Sequence, residues 1–247
     1  MVDDISAKTR LEEKILQAEK LATISMLSAG MAHEINNPLG SILTNVQNLL
    51  DEETSPSRSV SLRWIEQETR RIARIVQGML SFASGKAGGT PGGDLNAVVR
   101  EVTGLMRHGA ERAGVSIDLR LSPDIGPVAV STDELKQVVI NLVSNAVQSI
   151  SGPGRVLVST HAGSGGRASL AVADTGCGIP RHVLPRIFDP FFTTKANGDG
   201  TGLGLSVVWG IVTRYAGTID VRSREGRGSR FCLRLPGACA QTMESAG

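Results

Sequence analysis

Four groups of residues in this chain have types and spacings that could do chemistry. The first is the string AGMAHEINNPLG, in which Glu34 follows His33 and Asn37 lies one helical turn further along the same face. His33 sits two residues past Met31, about 200° around a helix from an apolar stripe, so its imidazole is expected to face water. A neutral imidazole is a competent nucleophile near neutral pH. Pro38 removes a helix hydrogen bond and predicts a bend just after His33. A lone His-Glu pair is also ordinary surface, so the surrounding string carries the weight. The second group is ELKQVVINLVSNAVQ, where Asn141 and Asn145 are four apart on a half-apolar helix. Amides there need partners, and an amide carbonyl is a hard oxygen ligand that suits Mg²⁺. A structural hydrogen bond is the alternative.

The third group, AVADTGCGIP, puts Asp174 at the end of an apolar strand, ahead of Gly176 and Gly178. A carboxylate there could accept the exocyclic amine of adenine while the glycines bring backbone close to the base; a simple turn would use the same residues. The fourth group is IFDPFFTTKANGDGTGLGLSV. Phe188, Phe191 and Phe192 are expected to pin the start of a loop to the core. Lys195 could meet phosphate, and Gly198, Gly200, Gly202 and Gly204 lead into a helix whose first amides could bind it. The string lacks the GK[ST] ending of a Walker A loop and the strand–turn–helix setting of a Rossmann fingerprint.

The elements that must position these groups follow from periodicity. Ile24, Leu27, Met31, Ile35, Pro38, Ile42, Val46 and Leu49 recur every three or four residues and predict a first long helix. Leu11, Ile15, Ala18 and Ala22 form a coiled-coil-like lead-in over 1–23. DEETSPS (51–57) should end that helix. Leu62, Ile65, Ile72, Ile75, Met79 and Phe82 predict a second helix, with Trp64 expected in the core. Two antiparallel helices alone cannot enclose a core, so 24–84 is expected to dimerise into a four-helix bundle. GKAGGTPGG (85–93) reads as a hinge. From 94 to 236 the sequence reads as mixed α/β: helices at 95–113, 132–150 and 203–215, strands at 115–121, 155–161, 168–174, 218–223 and 229–235, and a short strand near 128–130. A loose tail follows at 237–247.

Composition bounds the rest. The chain has 247 residues, a formal net charge of +2, 40% hydrophobic residues, 3% aromatics, 29 glycines and three cysteines. The core must therefore be mainly aliphatic. A near-neutral chain is a poor general nucleic-acid binder. No apolar run approaches the roughly 18 residues of a membrane span, and the charged start does not resemble a signal peptide. Unpaired cysteines without ligand spacing suit a cytoplasmic chain.

HEINNPL, NLVSNAVQ, DTGCGIP, FDPFFTTK and GTGLGLS occur in this order. Together they resemble the H, N, G1, F and G2 boxes of bacterial two-component sensor histidine kinases, with a nitrogen-regulatory flavour. The resemblance covers about residues 24–235. It implies an α+β multidomain chain: a helical hairpin forming a dimeric four-helix bundle, then an α/β-sandwich ATP-binding domain of the Bergerat type. It implies a homodimer using ATP and Mg²⁺, with His33 as phosphoacceptor, Glu34 as base and Asn37 as the positioner of water for phosphatase activity. Asn141, Asn145, Gln148, Asp174, Gly176, Gly178, Ile179, Lys195, Thr201, Gly202, Leu203, Gly204 and Leu205 would bind ATP, with Asn145 on the metal. Gln148 stands where many members carry a basic residue. The partner would be a response regulator receiver domain, with a sensor domain upstream or a separate input protein. Two rivals are another ATPase of the same nucleotide fold, which needs no solvent-facing nucleophilic histidine, and a nucleotide-binding scaffold that transfers nothing.

Overall fold

The computed structural model describes residues 35–83, 92–195 and 202–238. His33, Glu34 and Thr201, the lead-in and most of the expected hinge and tail lie outside these residues. The chain divides into two compact units. One is helical and includes the described part of Asp189–Leu203; the other is α/β.

In the helical unit, α1 is described over 35–52 and α2 spans Pro56–Ala83. The connection is three residues long, and Pro56 opens α2 where the missing N–H costs nothing. Leu39 and Val76 are buried together, with Ile35 and Ala73 packed on them. The apolar stripe read from the sequence is thus displaced. It ran through Pro38 and passed over Leu39 and Val76, yet Pro38 is exposed and Leu39 buried. On α1 the buried positions occupy one edge of an apolar band about 80° wide, and Ile42 and Leu49 on the other edge are exposed. On α2, Thr69 and Val76 are buried while Ile65 and Ile72 are exposed. Trp64, expected in the core, is 65% exposed because it lies about 140° around α2 from Thr69. Arg70 and Arg71 are paired with Glu66 and Glu68 on the same helix.

The α/β unit begins with α3 (Leu95–Arg112), capped by Asp94, whose carboxylate accepts the Ala97 amide at 2.9 Å. Then come β1 (Val115–Leu121), α4 (Thr132–Gln148), β2 (Gly154–Ala162), β3 (Ala168–Asp174), α5 (Gly204–Arg214), β4 (Thr218–Arg224) and β5 (Gly228–Leu235). The sheet order is β1-β2-β3-β5-β4; β1 and β2 are parallel and the other pairs antiparallel. Short turns reverse α3 into β1 and α4 into β2, so α3 and α4 run the same way. Lys136 and Glu101 bridge them at 2.7 Å. The helices cover the sheet through an aliphatic core that includes Leu95, Val99, Leu135, Val139, Val208, Leu170 and Leu233. Trp209 lies half-buried on α5. No helix among the described residues is long and apolar enough to cross a membrane.

The expected strand near 128–130 is a pair of isolated bridges from Val128 to Gly93 and Gly237. Gly93, read as hinge, is buried there. A Cβ on it would lie 2.7 Å from the Val130 carbonyl oxygen, so close backbone approach requires this glycine.

The start of α4 is tied to the end of α5. The Ser131 hydroxyl caps α4 and donates to Glu134 Oε2 at 2.8 Å. The Tyr215 hydroxyl donates to the same oxygen at 2.5 Å, and Arg214 reaches Oε1 at 2.8 Å. Burial, followed by the bond to Glu134, raises the Tyr215 pKa above the usual 10.0. After α5 the chain turns through Ala216 at φ +53°, a left-handed conformation that disfavours a Cβ.

Two outcomes follow. Ala216→Gly should stabilise the chain by about 1 kcal/mol, read as a rise in Tm of about 2–4 °C; an unchanged or lower Tm contradicts the strain. Tyr215→Phe should cost about 1–2 kcal/mol at pH 7–9. Because the folded pKa is raised, the phenol's contribution is complete below about pH 10 and is lost as pH climbs through the folded value. Melts at increasing alkaline pH should therefore show the wild type losing its advantage over Tyr215→Phe.

Candidate functional site

The α/β unit gathers the second and third sequence groups and the two ends of the fourth. β3 delivers Asp174 to its C-terminal end with 9% exposure. A carboxylate this buried needs donors, and it has three, all on Oδ1: the Gly176 amide at 2.8 Å, the Ser229 amide at 3.2 Å and the Ser149 hydroxyl at 3.1 Å. Oδ2 is left for an incoming donor. The turn after Asp174 is held from two sides. Ser149, just past α4, accepts the Cys177 amide on its carbonyl at 2.9 Å, and a Cβ on Gly176 would collide with Ser149. From the β4–β5 turn, the Gly226 amide donates to the Cys177 carbonyl at 2.7 Å. Gly178 (φ +70°) lies against the Arg224 carbonyl and Gly228 (φ +89°) against that of Asp174, each too close for a Cβ.

α4 presents Asn141 and Asn145 on one half-buried face. The Nδ2 of Asn141 is buried without a hydrogen-bond partner. Its Oδ1 lies beside Gly204, the first residue of α5, where a Cβ would come within 3.4 Å. An unmet buried donor beside a helix N-terminus, with its outward amides, suits an anionic ligand. Gln148 is exposed near the end of α4, and Ile179 and Leu205 are half-buried. Among the described residues no cluster of three His, Cys, Asp or Glu side chains could hold a metal ion.

The remaining candidates belong to the helical unit. Asn37 is exposed on α1, with its carbonyl accepting the Ser41 hydroxyl at 3.3 Å. Lys195 is half-buried and Leu203 fully buried. Gly202 (φ +66°) packs on the Phe191 backbone with no room for a Cβ. Phe191, expected as a core pin, is 43% exposed and itself left-handed at φ +65°.

Sequence reasoning missed the hydroxyls: Ser149, Ser223 and Ser229 support the turn around Asp174. The available signals were a serine directly after the α4 pattern and two serines facing each other across the final hairpin.

Comparison with known proteins agrees with this arrangement. Residues 23–88 match the His Kinase A (phospho-acceptor) domain. Residues 130–238 match the histidine kinase-, DNA gyrase B- and HSP90-like ATPase family. AtoS of Escherichia coli (strain K12), a signal transduction histidine-protein kinase, is 36% identical over 94% of this chain, which spans 38% of AtoS. Full-length ShkA in complex with AMPPNP superposes with a TM-score of 0.73 at 26% identity, covering 85% of this chain and 45% of ShkA. Histidine kinase ThkA, in complex with the response regulator protein TrrA, gives 0.65 at 26% identity over 92% of this chain and 66% of ThkA. A phospho-acceptor helical region followed by an ATPase sheet, with a matching relative running through both, has one family meaning: the chain belongs to the two-component sensor histidine kinases.

Proposed function

We propose that this chain is a kinase core that phosphorylates His33 with Mg-ATP and passes the phosphoryl group to an aspartate of a response regulator. The observation that carries the nucleotide half is Asp174: Oδ1 is consumed by three protein donors, leaving Oδ2 to accept the adenine amine. Guanine, with a carbonyl at that position, would set oxygen against oxygen. The unpartnered Asn141 Nδ2 beside the start of α5 offers a donor for phosphate oxygens. Within the α/β unit, Gly176, Gly178, Ile179, Gly204 and Leu205 would shape the walls and Gln148 would contact phosphate, while Lys195, Thr201, Gly202 and Leu203 are assigned to ATP by their motifs alone. Magnesium, when bound, neutralises phosphate charge, and Asn145 is the side chain that would hold it.

In the reaction, one His33 ring nitrogen attacks the γ-phosphorus and the bond to the bridging β-phosphate oxygen breaks. Glu34 takes the hydrogen bond or proton from the other ring nitrogen. An aspartate carboxylate of the regulator then displaces the imidazole. Asn37, exposed on α1, would orient the water that later hydrolyses the regulator's phospho-aspartate.

The chain acts as a homodimer in this reading. Ile42, Leu49, Ile65 and Ile72 leave apolar edges beside the hairpin seam, and a second hairpin would cover them. The domains would be 24–84 for dimerisation and phosphotransfer, 85–93 as hinge and 94–236 for ATP, with input from an upstream sensor or separate protein. ATP supply makes the cytoplasm the expected compartment.

With γ-phosphate-labelled ATP, the wild type should acquire an acid-labile, alkali-stable label that His33→Gln and Asn145→Ala lack. Label persisting on His33→Gln would falsify the assignment. Asp174→Asn keeps the Oδ1 acceptor but turns the outer oxygen into a donor. Its Tm should stay near wild type while ATP affinity falls on the order of a hundredfold; unchanged affinity in calorimetry would count against the base-reading role.

A further inference from the structure

The turn that shapes the base pocket does not hold itself. Three hydrogen bonds come to it and to Asp174 from the β4–β5 hairpin, an element that contributes no residue to the pocket assigned above. Two are made by backbone amides, Gly226 to the Cys177 carbonyl and Ser229 to Asp174. The third is a side chain. Ser223 Oγ accepts the Ile179 amide at 2.7 Å. The same hydroxyl donates to the Gly228 carbonyl at 3.0 Å and lies 2.9 Å from Ser229 Oγ. With the Ser229 hydroxyl donating to it, Ser223 has one donor and two acceptor sites all in use. Its position is therefore fixed on three sides. β4 and β5 place it by register, since Ser223 pairs directly with Ser229. Among the described residues it is the one hairpin side chain bonded to the segment 175–179.

We propose that Ser223 is a positioning residue for nucleotide selection: by clamping Ile179 to the final hairpin, it sets where Asp174 Oδ2 meets the base. This rests on the ATP reading above. Losing the hydroxyl strands the Ile179 amide and frees one end of a turn whose other end, at Gly176 and Cys177, stays tied to Asp174 and Ser149. The turn then samples positions in which Asp174 no longer matches the adenine amine. Binding weakens and discrimination against a base lacking that amine relaxes, while chemistry at the phosphate end proceeds.

The test uses the full chain. KM and kcat for ATP in autophosphorylation are measured alongside calorimetric affinities for ATP and GTP. Ser223→Ala should raise the ATP KM about five- to tenfold, leave kcat within about twofold and narrow the ATP-over-GTP preference by a similar factor. Ser223→Thr keeps the hydroxyl and should restore all three. If the alanine variant fails to fold, Ser223→Cys, of similar size but a weaker hydrogen-bonding partner, gives the same readout. An alanine or cysteine variant with wild-type KM and preference overturns the proposal, as does a threonine variant as impaired as alanine. Asp174→Asn run in parallel separates the two readings. If it retains ATP affinity, the base site itself is misassigned; if it loses affinity while Ser223→Ala does not, only the clamp is wrong.

Discussion

A carboxylate removed from water must find hydrogen-bond donors to replace the solvent, and Asp174 obliges three separate elements to supply them. Ser149 caps the end of the helix of the two asparagines, Gly176 belongs to the turn that follows the acid, and Ser229 is the second residue of the last strand. Each donor demands close approach. That is why Gly176, against Ser149, and Gly228, against the Asp174 carbonyl, admit no side chain, while Gly178 is closed by the Arg224 carbonyl of the final hairpin. The glycines are thus a consequence of the carboxylate's needs as much as of any ligand's. The site is a knot of backbone tied around one buried carboxylate, with one oxygen left for a further donor.

α4 shows how that knot is braced. Its first turn is fixed to the end of α5 through Ser131, Glu134, Arg214 and Tyr215. Its last turn is fixed to β3 through Ser149. The helix bearing Asn141 and Asn145 is therefore pinned at both ends, and the unmet Asn141 donor cannot escape by a shift of the helix. A buried group without a partner persists only where the surroundings over-determine its position.

Much of this was legible in the sequence. Period-two and period-3.6 patterns located the five strands and three α-helices of the α/β unit to within a residue or two, because each buries one clear face, but not the 3-10 turns at Ser164–Gly166 and Leu184–Arg186. The capping residue Asp94 was legible for the same local reason. What escaped depends on pairing across distance. Ser223 and Ser229 mean nothing until the register of β4 and β5 sets them opposite each other. Gly93 read as a linker because its partner, Val130, is 37 residues away. The hairpin seam was missed by one position on α1, Leu39 instead of Pro38. An apolar band wide enough for two neighbours does not say which edge meets its own chain. Trp64 was misplaced because size and apolarity alone argued for burial; its angle around α2 argued otherwise.

The scarcity of aromatics has a practical corollary. Of the two indoles in the chain, Trp64 stands exposed in the helical unit and Trp209 half-buried in the α/β unit. Each unit thus carries its own fluorophore in a contrasting polarity. The emission of a single-tryptophan form can be attributed to one unit, so the melting order of stalk and nucleotide domain can be read optically without adding a label.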